Sequence, residues 1–135
     1  MGADQVVDRM GFSPNQLVLE VGHQGDCDQE LRNCIKKKIG NEFIEESANE
    51  VVDAVLIWWR ADDGDLVDEL VDGLTFLTED GPIWVLTPKV GRPGHVEASE
   101  IQDAAPTAGL SQTVSLPVAT DWTATKLVHR KGKSK

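Results

Sequence analysis

The sequence predicts an α/β domain in which a mostly parallel sheet lies between two helical layers and ends in an antiparallel hairpin. Residues 51–88 read as a buried strand, an acidic turn, an amphipathic helix and a second buried strand, the pattern of one parallel βαβ unit. The run AVLIWW at 54–59 has no polar residue, as expected for a strand covered on both faces. Ser111–Leu116 and Trp122–His129 alternate apolar and polar residues, which favours a terminal hairpin.

The 135 residues suffice for one domain of ordinary size, and we expect it to occupy residues 15–129. Residues 1–14 have a mixed pattern and predict a flexible N-terminal arm. Residues 130–135 belong to a basic run, HRKGKSK, and predict a disordered tail. Gln16–Val21 predicts the first buried strand of the domain.

A helix is predicted after this first strand. Asp26, with Gln29 three residues later, is expected to cap it, and Gly40 is expected to end it. Its apolar stripe would comprise Cys27, Leu31, Cys34, Ile35 and Ile39. Residues 41–50 show no clear pattern beyond a short apolar pair at 43–44.

The later elements follow from alternation and from capping residues. Trp58 and Trp59 are adjacent in a predicted strand, so their side chains should point to opposite faces of the sheet. Asp63 or Asp65 can cap the next helix. A Ser and a Gln at 99–102 predict a capping box for the last helix.

The charge of the chain is negative and unevenly distributed. Its net charge is −10. Residues 1–80 carry 19 acidic and 6 basic side chains, whereas residues 81–135 carry 4 and 7. An acidic body repels phosphates, so we expect no nucleic-acid partner.

Cysteine spacing and hydropathy predict a cytoplasmic protein. Cys27 and Cys34 would lie about 10 Å apart along one helix, and a disulfide needs less than about 7 Å. Both are therefore expected to be reduced thiols. No apolar run reaches the roughly 18 residues of a membrane span, and the first residues show no secretory signal. We expect no membrane partner.

Three short fragments in the second half resemble a class I methyltransferase, a Rossmann-like fold. These are Asp80-Gly81-Pro82 before a buried strand, Ala108-Gly109-Leu110 after a helix, and Trp122 in the hairpin. The resemblance implies an adenosyl cofactor on a glycine-rich turn after the first strand. That turn, GHQG at 22–25, has two glycines but lacks a third, so we predict no cofactor.

Over nearly its whole length the chain resembles a small actinobacterial family known as domain of unknown function 3052. Three segments carry the resemblance: VVDAVLIWWRADDGDLVDELVDGL, GPIWVLTPKVGRPGHVE and AAPTAGLSQTVSLPVATDWTATKLV. The WWR-x-DDGD-LVD run is the most specific part. The resemblance implies a source and a size class, and no mechanism.

Candidate ligand-binding residues follow the three predicted parallel strands. In open α/β sheets, ligands sit beyond the carboxyl ends of such strands. The loops there contain acids, bases and two imidazoles, namely His23, Asp26, Arg60, Asp62, Asp63, Thr87, Lys89, Arg92 and His95. If the loops converge, these side chains line one rim of the sheet.

Each group of rim residues has two readings. His23 beside Asp26 is either an oriented base or a solvent-facing turn residue. Residues 62–65, DDGD, either hold a hard cation or simply cap a helix, and we predict no metal because the spacing of a calcium loop is absent. The basic loop 89–95 either receives a phosphate or carboxylate or is a plain surface loop.

The residues favour a non-catalytic binding or regulatory protein, because no complete catalytic set is present. It would engage a protein partner or a small ligand at the rim, as a monomer or homodimer. The alternative is a small enzyme, methyltransferase-like or acting on a phosphorylated substrate, that uses His23, Asp62 and Arg92.

Overall fold

The computed structural model describes residues 3–45, 48, 50–79 and 81–129. Within them, helices and strands alternate for most of the chain. The elements are α1 (Ala3–Met10), β1 (Val18–Val21), α2 (Gln29–Ile39), β2 (Ala54–Trp58), α3 (Leu66–Phe76), β3 (Ile83–Pro88), α4 (Ala98–Thr107), β4 (Leu110–Pro117) and β5 (Trp122–His129).

The described strands form one five-stranded sheet in the order β1-β2-β3-β5-β4. β1, β2 and β3 run parallel, and β5 is antiparallel to both β3 and β4. The predicted mixed sheet with a C-terminal antiparallel hairpin is confirmed. Ile44 makes a parallel bridge to Leu19 on the free edge of β1, which gives the apolar pair at 43–44 a place in the fold.

A separate apolar core covers each face of the sheet. One core joins α1 and α2 to the strand residues Leu56, Trp58 and Trp84. The other joins α3 and α4 to Val55, Ile57, Trp59, Ile83 and Val85. The predicted divergence of Trp58 and Trp59 is therefore confirmed, because each ring belongs to a different core.

Residues 3–10, which we expected within a flexible arm, form helix α1. Val7, Met10 and Phe12 are buried and join the core that contains α2. Lys38 of α2 also forms an ion pair with Asp8 at 2.8 Å. Apolar residues at three- and four-residue spacing give even this short helix a face to bury, so the arm prediction was wrong here. The tail predicted at 130–135 lies outside the described residues.

Two helix caps differ from the sequence prediction. Asp28, not Asp26, caps α2, and its side chain accepts a hydrogen bond of 2.8 Å from the Leu31 amide. α4 begins after Glu97, whose side chain makes no capping bond, and the box predicted at 99–102 is not formed. Two other caps are confirmed: Asp65 caps α3 and a left-handed Gly40 ends α2.

The shift of the α2 cap has a local cause. Cys27 lies in a turn before the helix, where its amide donates to the Gln24 carbonyl and its thiol accepts from the Gln24 amide. Asp26 is thereby left free to bind another loop. Cys27 and Cys34 are both outside any disulfide. Among the described residues, no helix has the length and apolar character to cross a membrane.

Candidate functional site

The loops after β1, β2 and β3 emerge on one edge of the sheet, because the three strands are neighbours and parallel. The structure divides the predicted rim residues into three groups. Asp26 and Asp63 both form an ion pair with Arg60. Thr87, Lys89 and His95 line a neighbouring cleft. The remaining three, His23, Asp62 and Arg92, belong to neither group.

Arg60 lies at the centre of the first group, with only 9 % of its side chain exposed. Its Nε donates to Asp26 Oδ2 at 2.9 Å, and its Nη2 donates to the other oxygen of the same carboxylate. Its Nη1 donates to the carbonyl oxygens of Gly22, at 3.0 Å, and Trp58, at 3.1 Å. The guanidinium thus fills the space between the ends of β1 and β2.

Two further residues complete this arrangement, which we call the Arg60 cluster (Gly22, Asp26, Trp58, Arg60, Asp63 and Trp122). The Asp63 carboxylate accepts from the Arg60 amide at 2.9 Å and lies 3.3 Å from its Nη1. The Arg60 guanidinium lies 5.3 Å from the centre of the Trp122 ring. The Trp122 indole N–H donates to the Asp26 carbonyl at 3.2 Å. The cluster therefore connects β5 with the loops after β1 and β2.

The electrostatics of the cluster follow from these contacts. Hydrogen bonding to Arg60 lowers the pKa of the Asp26 carboxyl, and the same contact raises the pKa of Arg60. Burial raises the pKa of the neighbouring Cys27 thiol, although Arg60 partly opposes that effect. The ion pair is therefore charged at neutral pH, and Cys27 is not an activated nucleophile.

The glycines of the turn after β1 have different surroundings. Gly22 has φ +83°, and a Cβ there would overlap the Trp58 carbonyl oxygen. Gly25 would place a Cβ in open space. Gly22 is thus required for close packing of the turn against β2.

A second ion pair, which the sequence did not predict, is more buried than that of Arg60 and Asp26. Arg32 of α2 binds both carboxylate oxygens of Glu20, at 2.6 and 2.8 Å. Glu20 also accepts from the Trp58 indole N–H at 2.9 Å. An acid inside the apolar run QLVLEV was the available signal, since a buried carboxylate needs a partner.

The cleft lies between the end of β3, the loop 89–97, the start of α4 and the β4–β5 hairpin, and its volume is about 610 Å³. Thr87 is only 5 % exposed, and within the described residues its hydroxyl makes no hydrogen bond. The Thr125 and Ser115 hydroxyls lie 3.1 Å apart and bond each other. Glu97 and Thr123 also line the cleft, and the apolar part of its lining comprises Pro88, Val90, Val96, Ala98 and Ile101.

Two basic side chains border the cleft. His95 Nδ1 lies 3.0 Å from the Pro88 carbonyl oxygen, to which it donates, and its Nε2 lies 3.5 Å from Glu97 Oε2. Lys89 has no ion pair with any other described residue, although its amide donates to the Asp121 carbonyl. A positive charge therefore stands at this end of the sheet without a neutralising partner among the residues described.

The other predicted residues are dispersed. Arg92 forms a half-exposed ion pair with Asp121 at 2.8 Å. His23 and Asp62 are exposed and, in the described part of the chain, form no hydrogen bond or ion pair. The β1 and β3 ends that carry His23 and Arg92 are two strand spacings apart, about 10 Å. No group of three or more potential metal ligands lies together among the described residues.

Sequence comparison identifies relatives over almost the entire chain. The family described as "Protein of unknown function (DUF3052)" matches residues 7–131. Uncharacterised proteins of Mycobacterium tuberculosis and Mycobacterium bovis are each 47 % identical over 126 residues. These matches cover 93 % of this chain and 79 % of theirs.

Structural comparison finds methyltransferases. A SAM-dependent methyltransferase from Aquifex aeolicus has a TM-score of 0.64 at 13 % identity, and the match covers 93 % of this chain and 88 % of that enzyme. The pyocyanin biosynthetic protein PhzM has a TM-score of 0.70 at 12 % identity, with 95 % and 54 % covered. At such low identity the likeness shows a shared Rossmann-like fold.

The residues after β1 do not fit the adenosyl cofactor that this fold implies. The Gly22 carbonyl and the Asp26 carboxylate are both bound by Arg60. The guanidinium thus fills the space between the two strand ends, and Gly22 is packed against β2. The open space at the rim lies at β3 instead.

Proposed function

The chain belongs to the DUF3052 family, and from this premise we propose that it is a non-catalytic binding protein that takes a small ligand in the cleft at the end of β3. The ligand would sit beyond the carboxyl end of a parallel strand, where open α/β sheets bind their ligands. A cytoplasmic location and a monomeric or homodimeric state remain part of this proposal. A regulatory role would follow if ligand occupancy altered binding to another protein.

The proposal rests on one structural difference along the rim. The Arg60 side chain fills the space at the ends of β1 and β2, whereas an open cleft lies at the end of β3. The Arg60 side chain is 9 % exposed and makes its hydrogen bonds within the protein. The cleft, at about 610 Å³, is of the size that holds small molecules. Its mostly apolar lining with a few polar groups is typical of such sites.

The polar groups of the cleft support binding better than catalysis. A nucleophile needs a base within hydrogen-bond reach. Among the residues described, the Ser115 hydroxyl bonds the Thr125 hydroxyl, and the Thr87 hydroxyl has no partner. The His95 Nδ1 is occupied by a backbone carbonyl.

The fold likeness favours a second candidate, the small enzyme. It would need His23, Asp62 and Arg92 to converge on one substrate. The exposed positions of His23 and Asp62, and the pairing of Arg92 with Asp121, speak against convergence without movement of the loops.

The two candidates predict different ligand-induced changes in a ¹⁵N NMR spectrum. We expect a library of small amphipathic molecules to shift the amides of Thr87, Val96 and Thr125, and S-adenosylmethionine to shift none at the rim. Thr123→Trp, which fills the cleft, should abolish the shifts. Thr113→Trp, on the exposed part of β4 outside the cleft, is the matched control. Saturable shifts of residues 22–26 by S-adenosylmethionine would instead support the enzyme.

A further inference from the structure

We propose that the ligand of the cleft is a small organic acid: an apolar body that carries one anionic head, either a carboxylate or a phosphate monoester. This inference rests on the proposed binding function and adds the chemical class of the ligand. Three features of the cleft point to an anionic head, and one points to an apolar body.

The first feature is the Thr87 hydroxyl. Thr87 is only 5 % exposed, and it lines the cleft at the end of β3. Its hydroxyl has no hydrogen-bond partner among the described residues, whereas the neighbouring Thr125 is paired with Ser115. The hydroxyl oxygen is itself accessible from the cleft, so a ligand oxygen bound there can hydrogen-bond with it.

The second feature is the start of α4, which adjoins the cleft through Glu97 and Ala98. The Glu97 side chain makes no capping hydrogen bond, so the amides of the first turn lack the side-chain acceptor that Asp28 gives α2 and Asp65 gives α3. The Glu100 amide donates to the Glu97 carbonyl, and the amides before it, together with the helix dipole, favour a negative group at this position.

The third feature is the charge balance of the cleft. Lys89 contributes a positive charge with no ion-pair partner within the described residues. The opposing carboxylate is that of Glu97, which is 74 % exposed and lies 3.5 Å from His95 Nε2. Because Glu97 lies beside His95 and forms no ion pair with Lys89 among the described residues, Lys89 remains available to bind an anion.

The apolar lining indicates the rest of the ligand. Val96 and Ile101 are buried at the cleft, and Val90 is 81 % exposed beside them. An exposed valine next to an apolar cavity would gain burial when an apolar body enters. A bare inorganic anion would leave this surface uncovered, so we infer an acid with a short acyl or aryl body.

The test is a ¹⁵N NMR titration of the full chain with three six-carbon probes: hexanoate, hexyl phosphate and 1-hexanol. We expect at least one anion to shift the amides of Thr87 and Ala98, with an affinity at least about tenfold above that of 1-hexanol, since a charged hydrogen bond is worth about that factor. Lys89→Met should weaken anion binding and leave 1-hexanol binding unchanged, whereas Thr87→Val should weaken anion binding through the loss of one hydrogen bond. Lys37→Met, on the exposed side of α2, removes the same charge as a control and should change neither.

The outcomes separate this inference from the proposed function. If 1-hexanol and both anions bound in the cleft with equal affinity, the inference that the ligand is an acid would be wrong, whereas the proposed binding function would still hold. If none of the three probes shifted the amides of the rim, the result would count against both the acid ligand and the proposed binding function. Anion binding that survives both Lys89→Met and Thr87→Val would also overturn the assignment, and retention of the native spectrum shows that each variant is folded. A preference for hexanoate or for hexyl phosphate identifies the head group.

Discussion

The Arg60 guanidinium binds the Asp26 carboxylate through two hydrogen bonds and so joins the loop after β2 to the turn after β1. The contact spans 34 positions of sequence. It occupies the strand ends where a ligand would otherwise be expected, so one ion pair both holds the rim together and closes part of it.

Replacing Arg60 with Met should destabilise the protein by about 1–3 kcal/mol, because the Gly22 and Trp58 carbonyl oxygens lose the donor that the 9 % exposed Arg60 side chain provides. The Asp26 carboxylate is 51 % exposed and contributes less to this loss, since water can replace the guanidinium. Arg60→Lys should recover little of this loss, since an ammonium cannot reproduce the planar two-point contact. The measurement is urea unfolding at neutral pH, followed by Trp fluorescence.

Arg92→Met is the matched control for this prediction. Arg92 also pairs with an aspartate on the rim, but both side chains of the pair are about half exposed. Its loss should cost less than about 1 kcal/mol. Equal effects of the two substitutions would mean that Arg60 has no special structural role.

The Asp26 pair predicts an acid-dependent loss of stability. Hydrogen bonding to Arg60 lowers the pKa of folded Asp26 below its ordinary 3.8. The stabilisation is therefore complete above about pH 3.8 and is lost as the pH falls through the lower pKa of the folded state. The difference in unfolding free energy between the wild type and Asp26→Asn should be constant from pH 7 to 5 and shrink below pH 4.

Asp68→Asn provides the control for the effect of net charge, because Asp68 is exposed on α3 and lies outside the Arg60 cluster. It removes one negative charge without breaking the contact with Arg60. A wild-type-to-Asp26→Asn difference that stays the same at pH 3 as at pH 6 would contradict the coupling of Asp26 to Arg60.

Gly22→Ala should destabilise the protein by about 2 kcal/mol or more, because alanine would be strained at φ +83° and its Cβ would overlap the Trp58 carbonyl oxygen. Gly25→Ala changes the same turn where a Cβ meets open space, and should be neutral or stabilising by up to about 1 kcal/mol. Thermal unfolding of the two variants checks the prediction. Similar melting temperatures would show that the turn does not need the close approach at Gly22.

The sheet could be predicted because its two inner parallel strands, β2 and β3, are almost entirely apolar in sequence. Ala54–Trp58 and Ile83–Pro88 are buried throughout, so each can be recognised as a strand from its own residues, without knowledge of the strands beside it. Helix starts were less predictable. Asp26 and Asp28 are equally good caps by residue type, and the turn that Gln24 and Cys27 form before the helix leaves Asp28 in the capping position.

The site was predictable only to the level of the rim. The rule for parallel strands located Thr87, Lys89 and His95, which do line the cleft. It missed Thr123 and Thr125, which reach the cleft because β5 pairs antiparallel with β3 in a register that sets Thr123 opposite Thr87. It also gave no sign that Arg60 turns inward, since the charge of a side chain does not reveal its direction.

Helix α1, which lies in the segment that the sequence predicted to be a flexible arm, should contribute packing energy to the domain. Val7 is 1 % exposed in the core shared with α2, so Val7→Ala should cost about 1–3 kcal/mol through lost burial and the cavity that remains. Val51→Ala is the control: Val51 is 66 % exposed, and its change should stay within about 0.5 kcal/mol. Urea unfolding measures both. If Val7→Ala proved as mild as Val51→Ala, α1 would contribute no packing energy to the domain and the flexible arm would be the better description.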